Sequence, residues 1–240
     1  MLYLTGDLHG GFNMRKLADL ERAGEGASVP GAGDVLVVCG DFGFPWDFSE
    51  AESEDVRWLE SRPYRVTFVD GNHERFDHWA ERPSEPWHGG RVQRIAPRSP
   101  ILRLMRGEVY ELEGSTLFTM GGATSVDRAW RTEGCDWWPV ELPDEEDFER
   151  ACAALDEVGW RVDYVVTHTC ANRMLPRALY PASMWQAPDF DRLTFFLDEL
   201  EERLEYRHWY CGHFHVDRDL DDRHTALYDR VVPAGGCLAS

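Results

Sequence analysis

No run in the chain approaches the roughly 20 consecutive apolar residues that a membrane helix needs, and no charged-then-apolar leader precedes Leu2, so the expectation is a soluble, cytoplasmic protein without a membrane partner. The six cysteines, Cys39, Cys135, Cys152, Cys170, Cys211 and Cys237, include no C-x-x-C pair, which leaves thiolate zinc sites and dithiol redox chemistry without support. Several lie in apolar strand-like runs, where reduced core thiols are expected. Basic charge is scarce: 25 Lys and Arg against 44 Asp and Glu give a formal charge of -19, which repels polyanions and argues against long duplex nucleic acid. There is no internal repeat and no low-complexity linker. What is present, 240 residues with 43% hydrophobic and 12% aromatic side chains, suits one large core, and a single domain over 1–240 is expected.

Strand-like and helix-like segments alternate along the chain. Leu2 to Leu4 and "DVLVVCGD" (34–41) read as buried strands, "YRVTFVDGNHE" (64–74) as a third that ends in polar residues, and helical spacing marks 12–23, 49–61 and 75–82. The stretch 101–122 reads as successive short strands with antiparallel neighbours, punctuated by Gly107 and Glu113-Gly114. An acidic amphipathic helix over 144–158 leads into the strand "VDYVVTHT" (162–169). A helix over 189–204, a strand and loop in "HWYCGHFHVD" (208–217) and a closing segment at 225–236 follow. The proline-bearing stretches 83–100 and 176–188 read as surface loops.

Five of these strands end in oxygen or imidazole donors: Asp7 and His9, Asp41, Asn72 and His73, His168, and His213 with His215. In an open α/β sheet, ligands bind just beyond the carboxyl ends of strands, so groups far apart in sequence can converge there. One histidine at a strand end is an ordinary structural group; five clusters at the same kind of position are not. Carboxylates, imidazoles and one amide oxygen form a shell suited to manganese, iron, zinc or nickel rather than calcium. So many ligands exceed what one ion takes while leaving a substrate position open. They fit two ions about 3.5 to 4 Å apart sharing a carboxylate, for which Asp41 is the natural bridge.

In order, "GDLHG", "CGDFG", "GNHE", "THT" and "GHFH" resemble the D-x-H, G-D, G-N-H-[DE], His and G-H-x-H blocks of the calcineurin-like metallophosphoesterase superfamily, over residues 7 to 215. The resemblance implies an α/β fold, a four-layer αββα sandwich of two mixed β-sheets flanked by helices. It implies a phosphoester hydrolase that works through a dinuclear centre and metal-bound hydroxide. It further implies Asp7, His9 and His215 on one divalent ion, Asn72, His168 and His213 on the other, and Asp41 bridging. Manganese is the expected ion in vitro, with iron, zinc or nickel as alternatives. His73 would face the scissile phosphate as general acid or phosphate donor.

The second block continues as "GDFGFPWD" and lacks the Asp and Arg of the protein Ser/Thr phosphatase branch. Arg75, Arg128 and Arg131 are the candidate substrate-binding cations, with pairing to nearby acids as the alternative for each. Segment 121–143, "GGATSVDRAWRTEGCDWWP" and its continuation, resembles an insert of bacterial and phage-borne members and is expected near the active site. Trp137-Trp138 reads as packing, with base stacking as the alternative. His78, His88, His208 and His224 fall outside the motifs and read as structural or solvent-facing. The expected substrate is a small phosphoester, with no obligate protein partner. A nuclease or protein phosphatase of the same superfamily, a catalytically silent metal-binding scaffold and a purely structural domain are the alternatives.

Overall fold

The computed structural model describes residues 1–23, 29–175, 190–236 and 238. Apolar tetrapeptides set the central strands: β1 (Leu2–Thr5), β2 (Val35–Val38) and β9 (Tyr164–Thr167) are buried at every position, as strands covered on both faces must be. The remaining strands are β3 (Arg65–Phe68), β4 (Ser84–Trp87), β5 (Gly90–Arg94), β6 (Leu102–Leu104), β7 (Glu108–Leu112), β8 (Ser115–Met120), β10 (His208–Cys211), β11 (Arg218–Asp221), β12 (His224–Ala226) and β13 (Val231–Pro233). They form a seven-stranded sheet, β13-β1-β2-β3-β6-β5-β4, and a six-stranded sheet, β11-β12-β10-β9-β8-β7. Both sheets are mixed. The inner strands β1, β2, β3 and β6 run parallel, as do β8, β9, β10 and β12, with antiparallel strands at the edges.

The sheets face each other across one core, in which Leu4, Val37 and Leu104 of the first meet Leu117, Val166 and Tyr210 of the second. Helices α1 (Arg15–Ala23), α2 (Glu50–Glu60) and α3 (Phe76–Ala80) lie on the first sheet, where Leu17, Leu59 and Trp79 pack with Leu36 and Phe68. On the second sheet α4 (Glu145–Glu157) and α5 (Arg192–Arg203) bury Leu155 and Leu197 against Val165 and Trp209. Capping fixes where the helices begin. Ser49 Oγ accepts from the Glu52 amide, while Asp144 with Asp147 and Asp191 with Thr194 form reciprocal boxes. The layer order is α/β/β/α, the sandwich implied by the resemblance. No helix among the described residues is long and apolar enough to cross a membrane.

Three local expectations change. Residues 83–100 are not simply a loop: β4 and β5 form an edge hairpin turned at His88 and Gly89, both at positive φ. Pro86 fits there because an edge strand has no outer neighbour to receive its missing N–H. Stretch 176–188 lies outside the described residues. Gly107 marks a passage between sheets rather than a hairpin, since β6 pairs with β3 and β5 while β7 pairs with β8. Segment 225–236 likewise divides, β12 joining one sheet and β13 the other. The polar edge strand β11 escaped a reading based on apolar runs. Cys39, Cys170 and Cys211 are buried thiols and Cys152 is half-buried; Cys135 is exposed, and Cys237 is outside the described residues.

Candidate metal centre and active site

Each expected donor follows a parallel strand. Asp7 and His9 follow β1, Asp41 follows β2, Asn72 and His73 follow β3, His168 follows β9, and His213 and His215 follow β10. The backbone there is held in an uncommon form: His9, Asp41, His213 and His215 all have positive φ, at 47°, 47°, 70° and 53°. Left-handed non-glycine residues cost energy that the surrounding structure must offset, and they gather at functional sites. Two glycines let the loops close. A Cβ on Gly71 would meet Asp41 Oδ1 at 2.0 Å, and one on Gly212 would meet Asp7 Oδ1 at 2.3 Å.

Asp7, His9, Asp41 and His215 bring one ligand atom each to within 4.8 Å of one another. His215 Nε2 lies 3.1 Å from Asp7 Oδ2, and His9 Nε2 lies 3.6 Å from that oxygen and 3.7 Å from Asp41 Oδ2. Burial pushes the Asp7 carboxyl up, but the His215 and His9 rings outweigh it and hold it below the usual carboxylate range. The His215 pKa is raised by Asp7 in return.

A second group adjoins the first. His168 Nε2 is 3.2 Å from Asp41 Oδ1 and 3.1 Å from Asn72 Oδ1. Its Nδ1 lies 2.8 Å from the Cys39 carbonyl, a contact that a protonated Nδ1 makes and that leaves Nε2 aimed at the carboxylate. The His213 ring stands 4.9 Å from the His168 ring, centroid to centroid, and the His213 amide donates to Asp7 Oδ1 at 3.0 Å. Burial opposes charge on both rings. Asp41 overrides it at His168, whose pKa rises to about 10, while at His213 burial together with the His168 charge brings it down to about 3. Asp41 itself is pushed up by burial and pulled further down by His168.

His73 lies beside both groups, its amide donating to Asp41 Oδ1 at 2.7 Å and its ring 5.1 Å from that of His9. Arg131 Nη2 stands 3.1 Å from His73 Nδ1 and 3.0 Å from Nε2, near-equal reaches that put this nitrogen over the ring. Burial lowers the His73 pKa and Arg131 adds to the fall, against the pull of Asp41. The partners of Arg131 are Asp127 and the Asp136 carbonyl. Arg128, in a short 3₁₀ turn, is exposed. Arg75 donates to the Trp46 carbonyl at 2.5 Å and pairs with Asp77 at 3.3 Å. Trp138 is buried edge-on to Trp46 and Phe76. His208 and His224 are buried in hydrogen bonds to Thr225 and to Tyr206 and Asp221.

Three supports had no role assigned from the sequence, although Glu74 closes the "GNHE" block. Glu74 is buried and accepts from the Phe42 and Gly43 amides, bracing the loop that carries Asp41; burial raises its pKa to about 8. Lys16, the chain's single lysine, donates to the carbonyls of Gly6 and Asp7, both at 2.9 Å, and to that of Tyr228. Ser125 and Glu141 sit behind Asn72. The rarity of lysine was a signal for the second of these; the last pair is joined only by folding.

The residues suit a divalent cation. Asp7 Oδ2 is buried without an aligned hydrogen bond, although two imidazoles face it. The His9 and His215 Nε2 atoms are 2.9 Å apart, and one N–H between them joins the two rings but leaves Asp7 Oδ2 without a donor. A cation accepts from that oxygen and from ring nitrogens together, and the mixed oxygen and nitrogen donors match transition metals. A search of the curated proteins returned no match. A family model described as calcineurin-like phosphoesterase matches residues 2–217, nearly the whole chain, with every donor above inside the match. The chain therefore belongs to the calcineurin-like phosphoesterase family, whose general chemistry is metal-dependent hydrolysis of phosphoesters.

Proposed function

We propose that the protein hydrolyses a small phosphoester, a monoester or a diester, at a two-ion centre. The observation that carries this reading is the division of Asp41: Oδ2 turns to His9 and Oδ1 to His168. Asp7, His9 and His215 would hold one ion, and Asn72, His168 and His213 the other, with Asp41 shared. Such cations supply Lewis acidity to phosphoryl oxygens and acidify water. His73, outside the ligand set, faces the same space and serves as proton donor or phosphate contact. Arg131, lying on its ring, offers a positive charge to the substrate once phosphate competes with Asp127.

A cavity of about 370 Å³ opens beside His9 and His73, walled by Phe44, Trp46, Glu52 and Asp55. That volume admits a compact leaving group. Its lining is aromatic and acidic, with neither Lys nor Arg among the described residues, which disfavours a polynucleotide running through it. A cytoplasmic enzyme acting without an obligate protein partner completes the reading.

The test is turnover of mononucleotide, cyclic nucleotide and aryl phosphate against single-stranded and duplex DNA, at matched metal and salt. The small esters are expected to be preferred. Nucleic acid cleaved orders of magnitude better, with binding that weakens steeply as salt rises, would make the protein a nuclease of the same family. No hydrolysis of any ester by manganese-loaded protein would favour the silent scaffold.

A further inference from the structure

Asn72 is the one amide among the proposed ligands, and its use depends on which way round its side chain sits, because the amide oxygen can face a cation and the NH₂ cannot. On one side Asn72 Oδ1 lies 3.1 Å from His168 Nε2; on the other Nδ2 donates to Ser125 Oγ at 3.1 Å. Ser125 gives both its protons to a single carboxylate, the amide hydrogen to Glu141 Oε1 at 2.9 Å and the hydroxyl hydrogen to Oε2 at 2.6 Å. An ionised carboxylate only accepts. The Ser125 hydroxyl hydrogen is therefore committed, and its oxygen is left to accept from the Asn72 NH₂. Water has little access, since Asn72, Ser125 and Glu141 are 5%, 1% and 2% exposed. Glu141 is anchored from behind, its carbonyl and that of Val140 each accepting from Arg106 Nη2 at 3.0 Å.

We infer that Glu141, acting through Ser125, is a positioning residue that locks the Asn72 amide with its oxygen toward His168 and thereby sets the cation affinity of the second donor group. The inference rests on the two-ion reading, and it gives segment 121–143 a role in metal binding that none of the five motif blocks contains.

Glu141→Gln tests the direction of the lock at nearly constant shape. The Ser125 amide still needs an acceptor, so the oxygen of the new carboxamide takes that place and its NH₂ faces Ser125 Oγ. The freed hydroxyl hydrogen then points at Asn72, which must turn its oxygen away from His168. In calorimetric titration of the full chain with Mn²⁺ at about pH 8, well above the ordinary carboxylate range, the second ion should bind about 10- to 100-fold more weakly. The first should bind as before. Asn72→Asp presents an oxygen on both sides, so the Asn72→Asp/Glu141→Gln double variant should recover the second ion. A merely structural role for Glu141 would leave the double variant no better than the single one. Ser125→Ala, which cuts the lock without reversing it, should lose less.

In metal-free protein, the Asn72 side-chain NH₂ should exchange slowly by NMR and shift in Glu141→Gln. Two ions bound unchanged by Glu141→Gln, no recovery in the double variant, or an Asn72 NH₂ signal indifferent to Glu141 would each overturn the inference. Wild-type protein that holds fewer than two ions would instead overturn the two-ion reading, with the NMR comparison still deciding the lock itself.

Discussion

Asp41 Oδ1 lies 3.2 Å from His168 Nε2, while the other oxygen of the same carboxylate faces His9 at 3.7 Å. Asp41 thus touches both donor groups. Manganese-loaded protein is expected to hold about two ions per chain, as shared-carboxylate sites do. Asp41→Asn should lower both occupancies, whereas Asp7→Asn should act mainly on the one shared with His9 and His215. Elemental analysis of the loaded variants checks this, and two retained ions with full turnover in Asp41→Asn would rule out the bridge.

His73 and Arg131 separate chemistry from metal binding. His73→Ala should leave metal content nearly unchanged and cut turnover by about 10²- to 10⁴-fold, the usual worth of a positioned acid. The loss should shrink for aryl esters, whose leaving groups need little protonation. An equal loss on aryl and alkyl esters would assign His73 to phosphate contact instead. Arg131→Ala should lower kcat/KM by about ten- to a hundredfold, chiefly through KM, since it removes a charged contact to the substrate rather than a proton donor. Arg131→Lys should restore little, because an ammonium cannot reach His73, Asp127 and the Asp136 carbonyl at once as the guanidinium fork does.

The parts of this fold that can be read from the chain are those fixed by local chemistry. Apolar runs such as VLVV at Val35–Val38 have nowhere to go but a covered sheet, and Asp144 or Asp191 before a helical pattern marks where a helix starts. The donors after each parallel strand were legible for the same reason. Which sheet a strand joins was not. Leu102–Leu104 and Glu108–Leu112 look alike as sequence. Arg103 of β6 pairs with the buried Asp70 just beyond the end of β3, a contact between residues far apart in sequence that only folding brings together. The Ser125–Glu141 pair behind Asn72 was hidden too, since partners 16 residues apart in a loop follow no period.

His208 gives stability a pH dependence of predictable sign. Thr225 Oγ1 donates to Asp219 Oδ1 at 2.7 Å, so its oxygen accepts from His208 Nε2–H, and the ring can be neutral. Burial lowers the His208 pKa, with the His224 ring adding to it. An unfolded histidine takes up its proton near about pH 6.5. This contribution is therefore complete above about pH 6.5 and is lost as pH falls below it, because the unfolded chain then binds the proton first. Urea midpoints followed from about pH 8 down to about pH 5 should fall less steeply in His208→Gln than in the wild type. Parallel curves would show that His208 is not held neutral.

Asp70 anchors the frame behind the site. It is fully buried and takes Arg103 on Oδ1, at 3.2 Å from Nε and 3.0 Å from Nη2, and Arg106 on Oδ2, at 2.7 Å from Nε. Burial pushes its carboxyl up, but the two guanidinium groups prevail and the pKa is lowered. A buried ion cluster contributes little relative to apolar packing, yet removing one partner strands the others, which costs about 3 to 5 kcal/mol. Asp70→Asn should therefore destabilise the protein by about that amount in urea unfolding, and its effect should reach the site, because Arg106 also holds the Glu141 carbonyl. Replacing all three at once, Asp70→Leu with Arg103→Met and Arg106→Met, should cost less than the single change despite removing more contacts. If the triple variant proves the less stable of the two, the cluster is a net source of stability and not only a constraint on where β6 and the 139–141 turn must lie.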